Sequence, residues 1–259
     1  MYVGLAWHFW RTRWRAPQSK KALRSWERAA ILGPLALHGW LLYHGIFSRD
    51  LRFCFAQALS VMMFLGVALY WIESLFYDLE GMQPLLLPLA GAAVPLPALF
   101  PGLASTGAHA EAAAFKLHLA LAMVAYSLFV IALLHAALMA VLERRLHHKQ
   151  AGVLASLPPL LTLEALLFRV IAAAFVFLTL TLLTGIAFSE TLFGRAMRPD
   201  HKTVFAVLSW VIFGLLLAGR GLYGWRGRTA LRWTLSGFVM LLLAYVGSRF
   251  VLEVVLHRP

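Results

Sequence analysis

Ten histidines lie in a chain that offers few other reactive side chains, and four of them stand where a metal or cofactor could be met. His118 opens one apolar run in Lys116-Leu117-His118-Leu119, and His201 precedes another in Arg198-Pro199-Asp200-His201-Lys202. His257 closes the last run in Leu256-His257-Arg258, while His38 sits in the middle of a run, in Leu35-Ala36-Leu37-His38-Gly39-Trp40. Imidazole is a common axial ligand of haem iron, and two histidines on separate helices can face each other across a haem. Such a site needs aromatic walls, for which Trp40, Trp210 and Tyr126 are candidates. It also needs a cation near the haem propionates, and Arg249, two turns before His257, could supply one. The competing assignment puts the run-end histidines at headgroup level as amphipathic side chains, with Arg249 reaching outward. His38 is harder to place that way, because a polar side chain at mid-bilayer depth is costly. A hydrogen bond to a neighbouring helix would satisfy it.

Other chemistries find no residues to work with. Cys54 is the single cysteine, so the chain has no disulfide framework, no CxxC pair and no CxxCH haem-attachment sequence. There is no GxSxG, HExxH, Walker loop or GxGxxG opening a helix. The remaining histidines carry less weight. His147 and His148 belong to a basic cluster, His109 to a small-residue loop, His135 to the later half of a helix, and His8 and His44 to helix ends.

The elements that must position these residues are membrane helices. Of 259 residues 61% are hydrophobic and 13% charged, about half the charge of a soluble domain. Apolar runs fall at about 29–47, 53–71, 84–100, 113–142, 160–188, 203–219 and 233–256. Spanning a hydrocarbon core takes about 20 helical residues. The third run is interrupted by Pro88, Pro95 and Pro97, which predicts a kinked or re-entrant piece. Met1 to Trp10 is apolar but followed by arginines rather than preceded by them. That is the wrong polarity for a secretory signal, and it reads as the inner end of a truncated first helix. The expectation is an all-α polytopic transmembrane bundle over 1–259, with about 7 full spans plus that N-terminal helix, 8 in total.

Basic residues set the orientation. Loops 11–28, 72–83, 143–159 and 220–232 hold fourteen of the 23 Lys and Arg, against six in the alternate loops. The first set is therefore expected inside and both termini outside, which brings His118, His201 and His257 to the outer face. The net charge of +12 then reflects insertion and contact with the lipid bilayer, not nucleic acid.

On these residues the chain resembles the cytochrome c assembly protein superfamily, the CcsA/CcmC group, and within it the small YpjD-like branch. The resemblance is strongest over 113–257. It rests on the His118 to Tyr126 helix opening and on Asp200-His201-Lys202-Thr203 leading into Ala206-Val207-Leu208-Ser209-Trp210. Gly224-Trp225-Arg226-Gly227-Arg228, Ala244-Tyr245-Val246-Gly247-Ser248, the terminal His257 and Leu37-His38-Gly39 complete it. The resemblance implies a bacterial inner-membrane protein that handles haem b, with His118 and His257 as outer ligands of the iron and His38 on the haem's route. Haem would be held for export or delivery rather than turned over. A second membrane subunit or an apocytochrome c would be the partner. One departure stands out. The family's outer loop is rich in tryptophan, whereas Glu190 to Pro199 here contains none, and His201 replaces the usual proline and is itself a candidate ligand. Two alternatives follow: a non-catalytic scaffold or regulator that lost its haem loop, or a small-solute transporter with His38, Arg249 and the proline-broken run along its path.

Overall fold

The computed structural model describes residues 1–14, 25–47, 54–77, 79, 81–101, 113–147, 159–193, 201–251 and 254. Within them every regular element is helical. Helix α1 (Tyr2–Phe9) continues into a π turn, Trp10–Trp14. It is followed by α2 (Ser25–Phe47), α3 (Phe55–Phe76), α4 (Gln83–Ala93), α5 (Leu96–Leu99), α6 (Ala113–His147), α7 (Leu160–Phe193) and α8 (His201–Tyr223). The chain ends in α9 (Arg228–Leu242), a π stretch over Leu243–Gly247 and a last turn, α10 (Ser248–Phe250). Among the described residues six helices are long and apolar enough to cross a membrane: those over Ser25–Ile46, Phe55–Phe76, Ala113–Arg144, Leu160–Phe188, His201–Tyr223 and Arg228–Phe250.

The remaining apolar run is the proline-rich one, and it breaks where the chemistry says it must. Pro95 and Pro97 have no N–H, so the carbonyls of Gly91 and Ala93 lose their i+4 donors. Helix α4 stops at Ala93, and the chain restarts one turn later with Leu99 N–H donating to the Pro95 carbonyl at 3.1 Å. The broken run nevertheless returns along the whole of α3. Leu86 touches Gly66 in the middle of α3, and at the far end Cys54 Sγ donates to the Phe100 carbonyl at 3.4 Å. Helix α1 packs on α4, where Val3 and Tyr2 lie against Gly91. Its far end is fixed by a buried ion pair, Arg13 Nη2 to Glu27 Oε2 at 2.7 Å, and by the Trp14 indole donating to the Gly81 carbonyl at 3.2 Å. Arg13, counted above among inner-loop bases, is thus part of the packed interior.

Helices α3 and α6 form the centre, with α6 packed on α7, α3 and α9. Phe129 of α6 stacks on Phe213 of α8, ring centroids 3.8 Å apart, and Phe213 in turn lies against Gly237 of α9. Ser209 Oγ donates to the Gly237 carbonyl at 2.9 Å, holding α8 and α9 in register.

The Gly224-Trp225-Arg226-Gly227-Arg228 segment is the turn between α8 and α9. Gly224 and Gly227 have φ of +66° and +57°, the left-handed region that glycine enters without penalty. The turn folds Trp225 onto Gly219, where no side chain would fit. Arg220 pairs with Glu164 at 2.5 Å and lies over the Phe168 ring. Glu164 therefore takes Arg220 as its partner rather than Arg169 of its own helix. Arg169 instead donates to the Tyr77 hydroxyl at 3.0 Å.

Candidate functional site: an intramembrane histidine beside a cavity

His38 lies midway along α2 and is 1% exposed. Two neighbouring elements fix its ring. Phe64 of α3 and Tyr2 of α1 meet it edge-on, centroids 5.6 and 5.8 Å away. Phe64 comes this close because residue 39 is glycine, since a Cβ there would stand 3.0 Å from the Phe64 ring. Both ring nitrogens have partners: Nε2 is 2.9 Å from Ser60 Oγ of α3, and Nδ1 is 3.4 Å from the Tyr2 hydroxyl.

Two cavities meet at this imidazole. The larger, about 430 Å³, opens between α2, α3 and the α4–α5 break. Leu41, Leu42, Pro95 and Pro97 line it, with His38, Ser60 and Gln57 as polar points. Its volume falls in the range of small-molecule sites, as does its make-up of apolar walls with few polar groups. The smaller, about 150 Å³, is also lined by His38 and is bounded by Tyr2, Pro34 and Gly91. Residues of the proline break, Val94, Pro95, Pro97 and Ala98, form one wall of the larger one.

The other candidates are distributed differently. His118 of α6 is half-buried, with Nδ1 3.0 Å from Thr184 Oγ1 of α7 and its ring against Gly185. Trp210 of α8 also leans on α7. Its indole donates to Thr179 Oγ1 at 2.9 Å and its ring stacks on Phe175 at 5.5 Å. Tyr126 is buried and donates to the Leu241 carbonyl at 2.7 Å, tying α6 to α9. His201 is exposed at the start of α8, and Arg249 is half-buried near the end of the last helix. His257, and the tryptophan-free loop from Gly194 to Asp200, lie outside the described residues. The His118–His257 pair is accordingly not among the juxtapositions described.

Sequence reasoning missed Ser60, Tyr2 and Gln57, since a serine, a tyrosine and a glutamine in apolar helices carry no motif. It also passed over His135, which is fully buried and sets Nε2 3.5 Å from Glu73 Oε1 of α3. The only signal for that pair was two ionisable residues within spans that could face one another.

The architecture is that of a multi-pass helical membrane protein with a buried histidine on an intramembrane cavity. The chain belongs to the cytochrome C assembly protein family, whose profile matches residues 29–256. It is 34% identical over 138 residues to the inner membrane protein YpjD of Escherichia coli strain K12, covering 53% of this chain and 52% of that protein. It is 35% identical over 141 residues to an uncharacterized 28.8 kDa protein of Azospirillum brasilense, covering 54% and 52%. A shorter stretch of 89 residues is 35% identical to the cytochrome c biogenesis protein CcsA of Prochlorococcus marinus, covering 34% of this chain and 28% of that one. The matching stretch thus spans about half the length of the first two relatives. No solved structure matches the chain.

Proposed function

We propose that the protein handles haem in the bacterial inner membrane for cytochrome c biogenesis, binding haem b through histidine ligands for export or delivery. In this reading His118 and His257 are the outer-face ligands, with His201 in reserve, and His38 is the intramembrane one. Arg249 faces the propionates, and Tyr126 and Trp210 stiffen the helices that carry the ligands. Haem, with an apocytochrome c or a second membrane subunit, is the partner. Inner-membrane residence follows the name of the Escherichia coli relative, and the link to cytochrome c biogenesis follows that of the Prochlorococcus one.

The observation that carries the reading is His38. A family member holds an imidazole at 1% exposure inside a membrane helix, in the wall of an apolar cavity of about 430 Å³. Residues of this kind fit a haem: an imidazole for an axial position, apolar walls for the macrocycle, and no competing carboxylate among the cavity's lining residues. Bound haem would supply an iron with exchangeable axial positions. The chain supplies the imidazoles, keeps water from them and fixes their angle.

The test is an absorption spectrum of the purified protein, oxidised and reduced, beside His38→Ala, His118→Ala and His257→Ala. A Soret band with sharp reduced bands, weakened in these variants, is the expected result. A protein that stays colourless after haem is supplied would overturn the reading in favour of a scaffold or regulator.

A further inference from the structure

The two hydroxyls on His38 meet different ring nitrogens and line different cavities. Ser60, the partner of Nε2, lines the larger cavity together with His38, and Tyr2 does not. Tyr2, the partner of Nδ1, lines the smaller one together with His38, and Ser60 does not. A neutral imidazole has one donor nitrogen and one acceptor nitrogen, whereas a hydroxyl can take either part. The arrangement therefore admits two states. Either Nδ1–H donates to Tyr2 while the Ser60 hydroxyl donates to Nε2, or both bonds run the other way. Only the first leaves a lone pair on Nε2, the nitrogen whose partner Ser60 lines the larger cavity.

We infer that Ser60 and Tyr2 are positioning residues for His38: Tyr2 holds the Nδ1–H tautomer and the ring angle, and Ser60 caps the Nε2 lone pair until a ligand in the cavity displaces it. The inference rests on the haem reading for what that ligand is, but the tautomer itself belongs to the ligand-free protein. The two bonds have opposite consequences. A metal-bound histidine is usually oriented by a bond from its other N–H, and losing that bond weakens metal affinity. The Ser60 bond competes with the ligand, because the hydroxyl must let go of Nε2 before any iron can take it. At 2.9 Å it is a well-formed bond, and at 3.4 Å the Tyr2 bond is a long one. The tyrosine is thus a weak orienting group, and its ring contact with His38 shares the task.

The experiment has two arms. In the first, protein labelled with ¹⁵N-histidine and free of haem is compared with His38→Gln to assign the His38 ring signals. The inference expects Nδ1 protonated and Nε2 unprotonated, with Tyr2→Phe increasing the fraction of the other tautomer. In the second, haemin is titrated into wild type, Ser60→Ala, Ser60→Thr and Tyr2→Phe in lipid nanodiscs. Ser60→Ala should tighten binding by about 3- to 10-fold, the range one net hydrogen bond spans. Ser60→Thr, which keeps the hydroxyl, should restore wild-type affinity. Tyr2→Phe should weaken binding by about tenfold or less.

If His38→Gln weakens haemin binding while Ser60→Ala and Tyr2→Phe leave it unchanged, the positioning inference falls and the haem reading stands. A wild-type spectrum with the proton on Nε2 overturns the inference whatever haemin does. If no variant binds haemin, the haem reading falls and the spectrum alone upholds or overturns the tautomer.

Discussion

At the scale of single residues, this protein turns on where it places glycine and charge. Gly237 lies beneath Phe213, and a Cβ there would come within 2.8 Å of two ring atoms. Phe213 cannot retreat, because its other face is stacked on Phe129 at 3.8 Å. Gly237→Ala should therefore destabilise the protein by about 1–3 kcal/mol, the usual cost of overpacking. Thermal unfolding in detergent would read this as a lowered midpoint, and an unchanged midpoint would mean the α8–α9 interface yields more than its contacts suggest. Glu27 is a stronger case. It accepts from Arg13 at 2.7 Å and meets His8 Nε2 at 3.2 Å, with its own side chain about 5% exposed. Glu27→Gln removes the carboxylate charge that the buried Arg13 guanidinium meets at 2.7 Å, at a cost of about 3–5 kcal/mol. The same assay should show α1 loosening, with increased proteolysis around residues 10–14 before global unfolding. Much at this scale was legible in sequence only as a question. His38 was conspicuous because a histidine in the middle of an apolar run demands a partner. The partner, Ser60, was not, because a serine twenty-two positions away has no periodic or charge signature.

At the scale of elements, apolar run length and proline positions predicted most of the helices. The six long spans coincide with six of the seven predicted runs. The seventh was marked as suspect by Pro88, Pro95 and Pro97, and it is the one that divides into α4 and α5. What the proline pattern could not convey is that the break borders a cavity ending at His38, since that depends on how α2, α3 and α5 pack. The division makes a prediction. Pro95→Ala with Pro97→Ala returns two backbone donors and removes the steric bar to a continuous helix, at proline costs of about 3 kcal/mol each in helix interiors. The double variant should be at least as stable as wild type, yet its cavity at His38 should shrink. Haemin affinity, measured beside thermal stability, separates the two. Weaker binding in a protein no less stable is the expected outcome, and unchanged binding would mean the break does not shape the site. The Gly224–Arg228 turn shows the same relation between motif and structure from the other side. Its sequence supported the family resemblance, while the structure gives it a mechanical role: two left-handed glycines, a tryptophan folded on Gly219, and arginines pairing with Glu164 and Glu143.

At the scale of the whole molecule, the question is which way the bundle faces, because that decides the side on which His118 lies. Charge makes the argument: loops 11–28, 143–159 and 220–232 hold fourteen basic residues and the alternate loops six. The structure adds independent geometry. Arg220, Arg226 and Arg228 gather with Glu143 and Glu164 at one end of α6 to α9, so that end carries a connected polar cluster. His118 stands near the opposite end of α6, twenty-five residues from Glu143. The cluster should be cytoplasmic and His118 periplasmic. Tyr223, 76% exposed beside the turn, is a position for a reporter, and the one native thiol, Cys54, is buried at 3% exposure. In a Cys54→Ala background, Tyr223→Cys in intact bacterial cells should resist a membrane-impermeant maleimide until the inner membrane is opened. A cysteine at Ala113, exposed at the start of α6, should react at once. The reverse pattern would put His118 on the cytoplasmic side. Haem would then be received where it was proposed to be delivered, and His38 would lie on a path running the other way.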